Sequence, residues 1–124
     1  MYILINLSEY DIIQLALFDK DSLVETKYNG RNRELLESMD TFLVDNKCDK
    51  NKLKGIMVVV GEGSFTNTRI SAVVANTFGY ALQIPIMSIN KNQIDNVQEL
   101  ISEIDKIPVG QYVSAKYSSE PNIG

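Results

Sequence analysis

Histidine is absent from this chain of 124 residues. That removes the commonest general base, the Ser-His and Cys-His nucleophile pairs, and most catalytic zinc sites. Any chemistry must then rest on carboxylates, lysines or backbone. Cysteine occurs once, at Cys48, so no disulfide framework can form, and a reducing, cytoplasmic setting is expected. No apolar run is long enough to span a bilayer and the first residues form no basic leader, so no membrane association is expected. Basic charge is also short. Twelve Lys and Arg against sixteen Asp and Glu leave a net charge of -4, which argues against a stand-alone nucleic-acid binder, because phosphate contact needs Lys and Arg.

What is present describes an ordinary globular protein, with 44% hydrophobic and 23% charged residues. The length suits one domain large enough to bury a core without staples. We expect that domain over residues 1–110, followed by an extended C-terminal tail, 111–124.

The chain is organised around a stretch that reads as strand, tight turn and helix. Val58, Val59 and Val60 suit a buried central strand, and Gly61 and Gly63 permit positive φ where the chain reverses. Ser64 or Thr66 can cap the helix that follows. Gly61, Gly63, Ser64 and Thr66 are therefore a candidate anion loop, since free N–H groups and the helix dipole point the same way. The plainer reading is an ordinary α/β turn. It is not a P-loop, because Ser64, Phe65 and Thr66 follow Gly63 where Lys and Ser or Thr are needed.

In chain order, residues 2–7, 12–18 and 23–28 read as an antiparallel meander, with Asp19, Lys20, Asp21 and Ser22 as a hairpin turn. Leu35, Leu36, Met39, Phe42 and Leu43 recur at helical spacing, giving a first helix over residues 33–46. After the Val58 strand and a helix to about Leu82, residues 84–89 form a fifth strand entered through Pro85. Asn92, with Asp95 three positions on, is expected to cap a last amphipathic helix that ends at Pro108. The order β-β-β-α-β-α-β-α predicts a ribonuclease H-like α/β fold, of the actin-like ATPase superfamily: a five-stranded mixed sheet in order 3-2-1-4-5 with helices on both faces.

Enzymes on that architecture place an aspartate near the end of strand one to hold a metal ion. Here the position is Asn6, and an amide cannot supply the charge a divalent cation needs. We therefore expect no catalytic residues, no metal site and no cofactor.

The second helix carries two stripes. Ile70, Val73, Val74, Thr77, Phe78 and Ala81 form a larger apolar stripe, expected to lie on the sheet. Thr68, Ser71, Ala72, Ala75, Asn76 and Gly79 are small residues that would let another helix approach closely. The plainer reading is that the first helix packs over that face; the family resemblance given below implies in addition that these residues, with Leu36, Met39 and Leu43 of the first helix, form a partner-binding surface. A glutamate at Ala75 is expected to break that contact and leave the monomer folded.

The segment Gly61-Glu62-Gly63-Ser64-Phe65-Thr66-Asn67-Thr68-Arg69 resembles the hallmark Gly-Pro-Gly-Ser-Phe-Thr-Gly-x-Arg of the TsaB family, also called YeaZ. The likeness extends to Ile3-Leu4-Ile5-Asn6-Leu7-Ser8, and to Ala81-Leu82-Gln83-Ile84-Pro85-Ile86. Departures fall at Asn6, Glu62 and Asn67, where the family has Asp, Pro and Gly. The family normally carries a second, similar domain, so the chain looks like a minimal single-domain version.

The resemblance implies a non-catalytic scaffold that binds TsaD and supports threonylcarbamoyl transfer to the adenosine beside the tRNA anticodon. TsaE is implied as a further partner, and a homodimer when TsaD is absent. No direct tRNA binding is expected of the chain alone. Two alternatives stand beside this reading: a nucleotide-binding ATPase or peptidase-like enzyme of the same fold, and an orphan homodimer.

Overall fold

A computed structural model describes residues 1–61 and 65–113, with the side chains of Phe65 and Thr66 left aside. Five strands form one sheet in the order β3-β2-β1-β4-β5. They are β1 (Tyr2–Asn6), β2 (Ile12–Phe18), β3 (Leu23–Asn29), β4 (Gly55–Val59) and β5 (Ile86–Ile89). The expected order is thus found, with β1, β2 and β3 antiparallel and β4 and β5 parallel to β1. β1 and β4 are buried along their whole length. A strand covered on both sides has no reason to alternate in polarity, and theirs does not.

Helix α1 (Leu35–Asp45), entered through a 3-10 turn at Asn32–Glu34, and helix α2 (Phe65–Leu82) cover one face. Beneath them lie Ile3, Ile5, Leu15, Leu17, Ile56 and Val58, sealed by Leu35, Met39, Phe42 and Ala75. The other face buries Tyr2, Leu4, Ala16, Phe18, Met57 and Val59 under Val97, Ile101 and Ile104.

The last expected helix differs from its sequence reading. Residues Lys91–Leu100 form a 3-10 run with non-helical dihedrals at Asn96 (φ -116°, ψ 18°), and only Ile101–Ile104, α3, is α-helical. The cap is Asn90, not Asn92: its N–H donates to Gln93 Oε1 at 2.8 Å. Asn92, Asp95 and Asn96 offer side-chain alternatives to the backbone ladder, while β-branched Ile94 and Val97 stiffen the turn, so regular helix loses its advantage.

Helix α2 is rotated from its expected orientation: of the larger stripe, Ile70, Val74 and Phe78 still pack against the core from its margin, partly buried. Ser71, Ala72, Ala75, Gly79 and Thr68 face the sheet and are buried, whereas Val73, Thr77 and Tyr80 face outward. The physical reason is proximity. A Cβ on Gly79 would lie 2.6 Å from Ile86 Cγ1 and 3.3 Å from the Ile84 carbonyl oxygen. The small residues bring α2 down onto β4 and β5, where larger side chains would hold it off. Its C-terminus closes with Gln83 at φ 56° and Ile84 N–H donating to the Gly79 carbonyl at 3.1 Å, which satisfies an otherwise orphaned carbonyl.

Candidate functional site at the carboxyl ends of the parallel strands

β1 and β4 end side by side, where α/β sheets of this kind receive their ligands. Asn6, the last residue of β1, is 3% exposed and stands opposite Gln14. Its Nδ2 donates to Gln14 Oε1 at 2.8 Å, and Gln14 Nε2 donates to Glu25 Oε2 at 2.9 Å. Asn6 Oδ1 meanwhile accepts from the Ser8 N–H at 2.9 Å. Three strands are thus joined by a polar ladder on one face of the sheet. An amide suits this place because it both donates and accepts, whereas a carboxylate would set oxygen against oxygen. Among the described residues, no group of three or more carboxylates or thiols could hold a metal ion.

Beside the ladder a cleft of about 360 Å³ opens between the β1–β2 turn, the start of α1 and the start of α2. Tyr10, Asp11, Arg31, Asn32, Arg33 and Asn67 line it, with Leu7 and Ile12. Asn67 is its keystone. Its Oδ1 accepts from Asn32 Nδ2 at 2.7 Å, and its Nδ2 donates to the Leu7 carbonyl at 3.2 Å. The Gly30 N–H donates to the Asp11 carbonyl at 2.9 Å, tying the two rims together. Ion pairs join Lys27 to Glu9 and Lys50 to Asp40, and among the described residues neither Arg31 nor Arg33 is in one. Two guanidiniums and two amides against the single carboxylate of Asp11, around a cleft of this size, suit an anionic group.

Of the candidate anion loop, Gly61 is described and has φ 86°, as a tight reversal after β4 requires. Gly63 and Ser64, and the side chain of Thr66, lie outside the described residues. The residues expected to meet a partner are brought together on α1 and α2, but most point inward. Met39, Leu43, Thr68, Ser71, Ala72 and Ala75 are at most 4% exposed, and Gly79 is buried. Leu36 is exposed, and Asn76 is half-buried, bonded to the backbone of Val113. Among the described residues, the large apolar side chains that the two helices expose are Leu36, Val44, Val73 and Tyr80.

Sequence reading missed the cleft. Its signal was the basic turn Arg31-Asn32-Arg33 between the sheet edge and the first helix. Only the fold sets that turn against Asn67.

Sheet order, helix placement and the Asn6 ladder together define a ribonuclease H-like domain of the actin-like ATPase type, with an amide where the metal-binding aspartate of such enzymes stands. A model of the family described as TsaD, tRNA N6-adenosine threonylcarbamoyltransferase, matches residues 30–119, and the chain belongs to this family. No curated protein matches. Among solved structures it is similar to YeaZ from Pseudomonas aeruginosa, with a TM-score of 0.65 and 20% identity over 72% of this chain and 44% of that one. A second structure, described as an uncharacterized protein from Pseudomonas aeruginosa with similarity to the peptidase YeaZ, gives the same TM-score, identity and share of this chain, and 42% of its own length. The chain thus spans less than half the length of either. Among the described residues, no helix is long and apolar enough to cross a membrane.

Proposed function

We propose that the chain is a TsaB-like scaffold in the making of threonylcarbamoyladenosine in tRNA, working in the cytoplasm as a non-catalytic partner of TsaD. The observation that carries this is Asn6. A buried amide engaged by Gln14 and the Ser8 backbone stands where a catalytic relative needs a free carboxylate. The family match and the likeness to structures named YeaZ support the pathway. TsaE joins through the complex with TsaD, and without TsaD the same surface makes a homodimer. The chain alone does not bind tRNA, since its negative charge repels the phosphate backbone.

The docking surface is the outer side of α1 and α2. Leu36, Val44, Val73 and Tyr80 are 54%, 75%, 58% and 67% exposed, four large apolar side chains on two neighbouring helices. An interface there should bury at least about 1,000 Å². The test is co-purification with TsaD. The wild type is retained, and a Val73→Glu, Tyr80→Glu double variant is lost from TsaD with its melting temperature unchanged. Retention of that variant, or steady ATP turnover by the isolated chain, would overturn the proposal.

The cleft supports a second reading, a nucleotide-binding member of the same fold, because Arg31 and Arg33 line an anion-sized space and, among the described residues, neither is in an ion pair. Saturable ATP binding lost in Arg31→Ala, Arg33→Ala would favour it.

A further inference from the structure

We infer that residues 111–113 are a reversible strap across the flank of α2, which lifts when a partner docks on that helix. The inference rests on the docking surface proposed above and adds its regulation. After α3, which covers one face of the sheet, the chain turns at Gly110 and reaches α2, which covers the other, so it passes around the β5 edge.

It is fastened there by one side chain. Asn76 Nδ2 donates to the Val113 carbonyl at 3.0 Å, and the Val113 N–H donates to Asn76 Oδ1 at 2.8 Å. The amide thus satisfies both backbone groups of Val113, as a neighbouring strand would, and the Val113 side chain rests on the core under α2. At the other end Gly110 has φ 97°, with no atom within 4 Å of where a Cβ would stand. The turn there uses a backbone conformation that favours glycine. Between this turn and the latch, Gln111 and Tyr112 are exposed. Beneath them is a cavity of about 310 Å³, bordered by Ile86, Met87, Ser88 and Ile107. Across this open space, lifting gives up chiefly the contact of Val113 with the core and the two hydrogen bonds to Asn76. Its two hydrogen bonds are neutral and only part-buried, so water replaces them cheaply.

The latch is also well placed to sense a partner. Asn76 lies three residues after Val73 and four before Tyr80, beside the outward apolar stripe. Packed helices approach to about 8–10 Å between axes. A helix laid along that stripe comes against the strap on its flank.

The experiment follows the Val113 amide by hydrogen exchange in the full chain, free and saturated with TsaD, alongside TsaD affinity. The free wild type protects this amide. Saturation with TsaD speeds its exchange at least about tenfold, and Asn76→Leu, whose amide is already fast, binds TsaD at least about fivefold tighter. A chain ending at Gly110 shows the same gain, which separates release of the strap from any change at Asn76. Equal protection of Val113 in the complex, or unchanged TsaD affinity in Asn76→Leu, overturns the strap while docking stands. Absence of TsaD binding by wild type and both variants overturns the docking surface, and the strap with it.

Discussion

The two faces of the sheet are closed by different means. Over one lie α1 and α2, regular helices whose inward residues are large on α1 (Leu35, Met39, Phe42) and small on α2 (Ser71, Ala72, Ala75, Gly79). Over the other lie the 3-10 run Lys91–Leu100 and one turn of α-helix, with bulky Ile101 and Ile104. Each closure needs a glycine where the layers come nearest, but on opposite partners. On the first face Gly79 of α2 accommodates Ile86 of β5, and on the second Gly55 of β4 accommodates Ile104, whose Cδ1 would be 2.8 Å from an added Cβ. The second face also carries polar groups in pairs: the Asn6, Gln14 and Glu25 ladder, and the Tyr2 hydroxyl donating to Asp105 Oδ1 at 2.5 Å. A layer of small residues thus marks intimacy with the protein's own sheet as readily as with a partner.

Ala75→Glu gives the sharpest break of this contrast. Ala75 is 0% exposed, so an unpaired carboxylate there costs roughly 4 kcal/mol. The expected result is loss of the cooperative transition in circular dichroism, not the folded monomer that the sequence alone suggests. A folded Ala75→Glu monomer would mean that α2 does not sit on its small face.

On the opposite face, Asn6→Asp tests whether the ladder tolerates the carboxylate of the metal-dependent relatives. It loses the donor to Gln14 and should cost about 2 kcal/mol at neutral pH. Buried among oxygen acceptors, the new group has its pKa raised, so the deficit shrinks as the pH falls towards 5. Denaturant unfolding at the two pH values measures this, and a deficit that grows on acidification would refute it.

Tyr2 supplies a smaller effect. Burial, and then its bond to Asp105 and that carboxylate's charge, push the hydroxyl up to about 12. The raised pKa favours the protonated, folded form. Its contribution is complete below pH 10 and is lost as the pH rises from 10 towards 12. Tyr2→Phe should cost about 1 kcal/mol at pH 7 and lose less than the wild type across that alkaline window. Parallel melting curves for the two proteins from pH 8 to 11 decide it.

The smallest expected change is Val73→Ser, on the outer side of α2. The side chain is 58% exposed, so stability should move by no more than about 0.5 kcal/mol. A larger loss in thermal melting would show that the outward stripe is structural.

Local chemistry was enough for the five strands and the first two helices. β-branched runs, the Asp19 turn and the spacing of Leu35, Met39 and Phe42 carry their own periodicity, and their order implies the 3-2-1-4-5 sheet. Asn6 as a departure from the aspartate pattern was equally legible, because one position and one functional group sufficed. Three matters belonged to the tertiary structure alone. Which stripe of α2 turns inward depends on how near β4 and β5 lie, since hydropathy favours the larger stripe while close approach requires the smaller. The irregular course of Lys91–Leu100 arises because Asn and Asp side chains compete with the backbone while Val97, Ile101 and Ile104 must still reach the sheet. The cleft of Arg31, Asn32 and Arg33 against Asn67 joins residues more than 30 positions apart, and the Val113 latch joins residues 37 apart. Such contacts are decided by where the layers meet, which no local pattern of residues encodes.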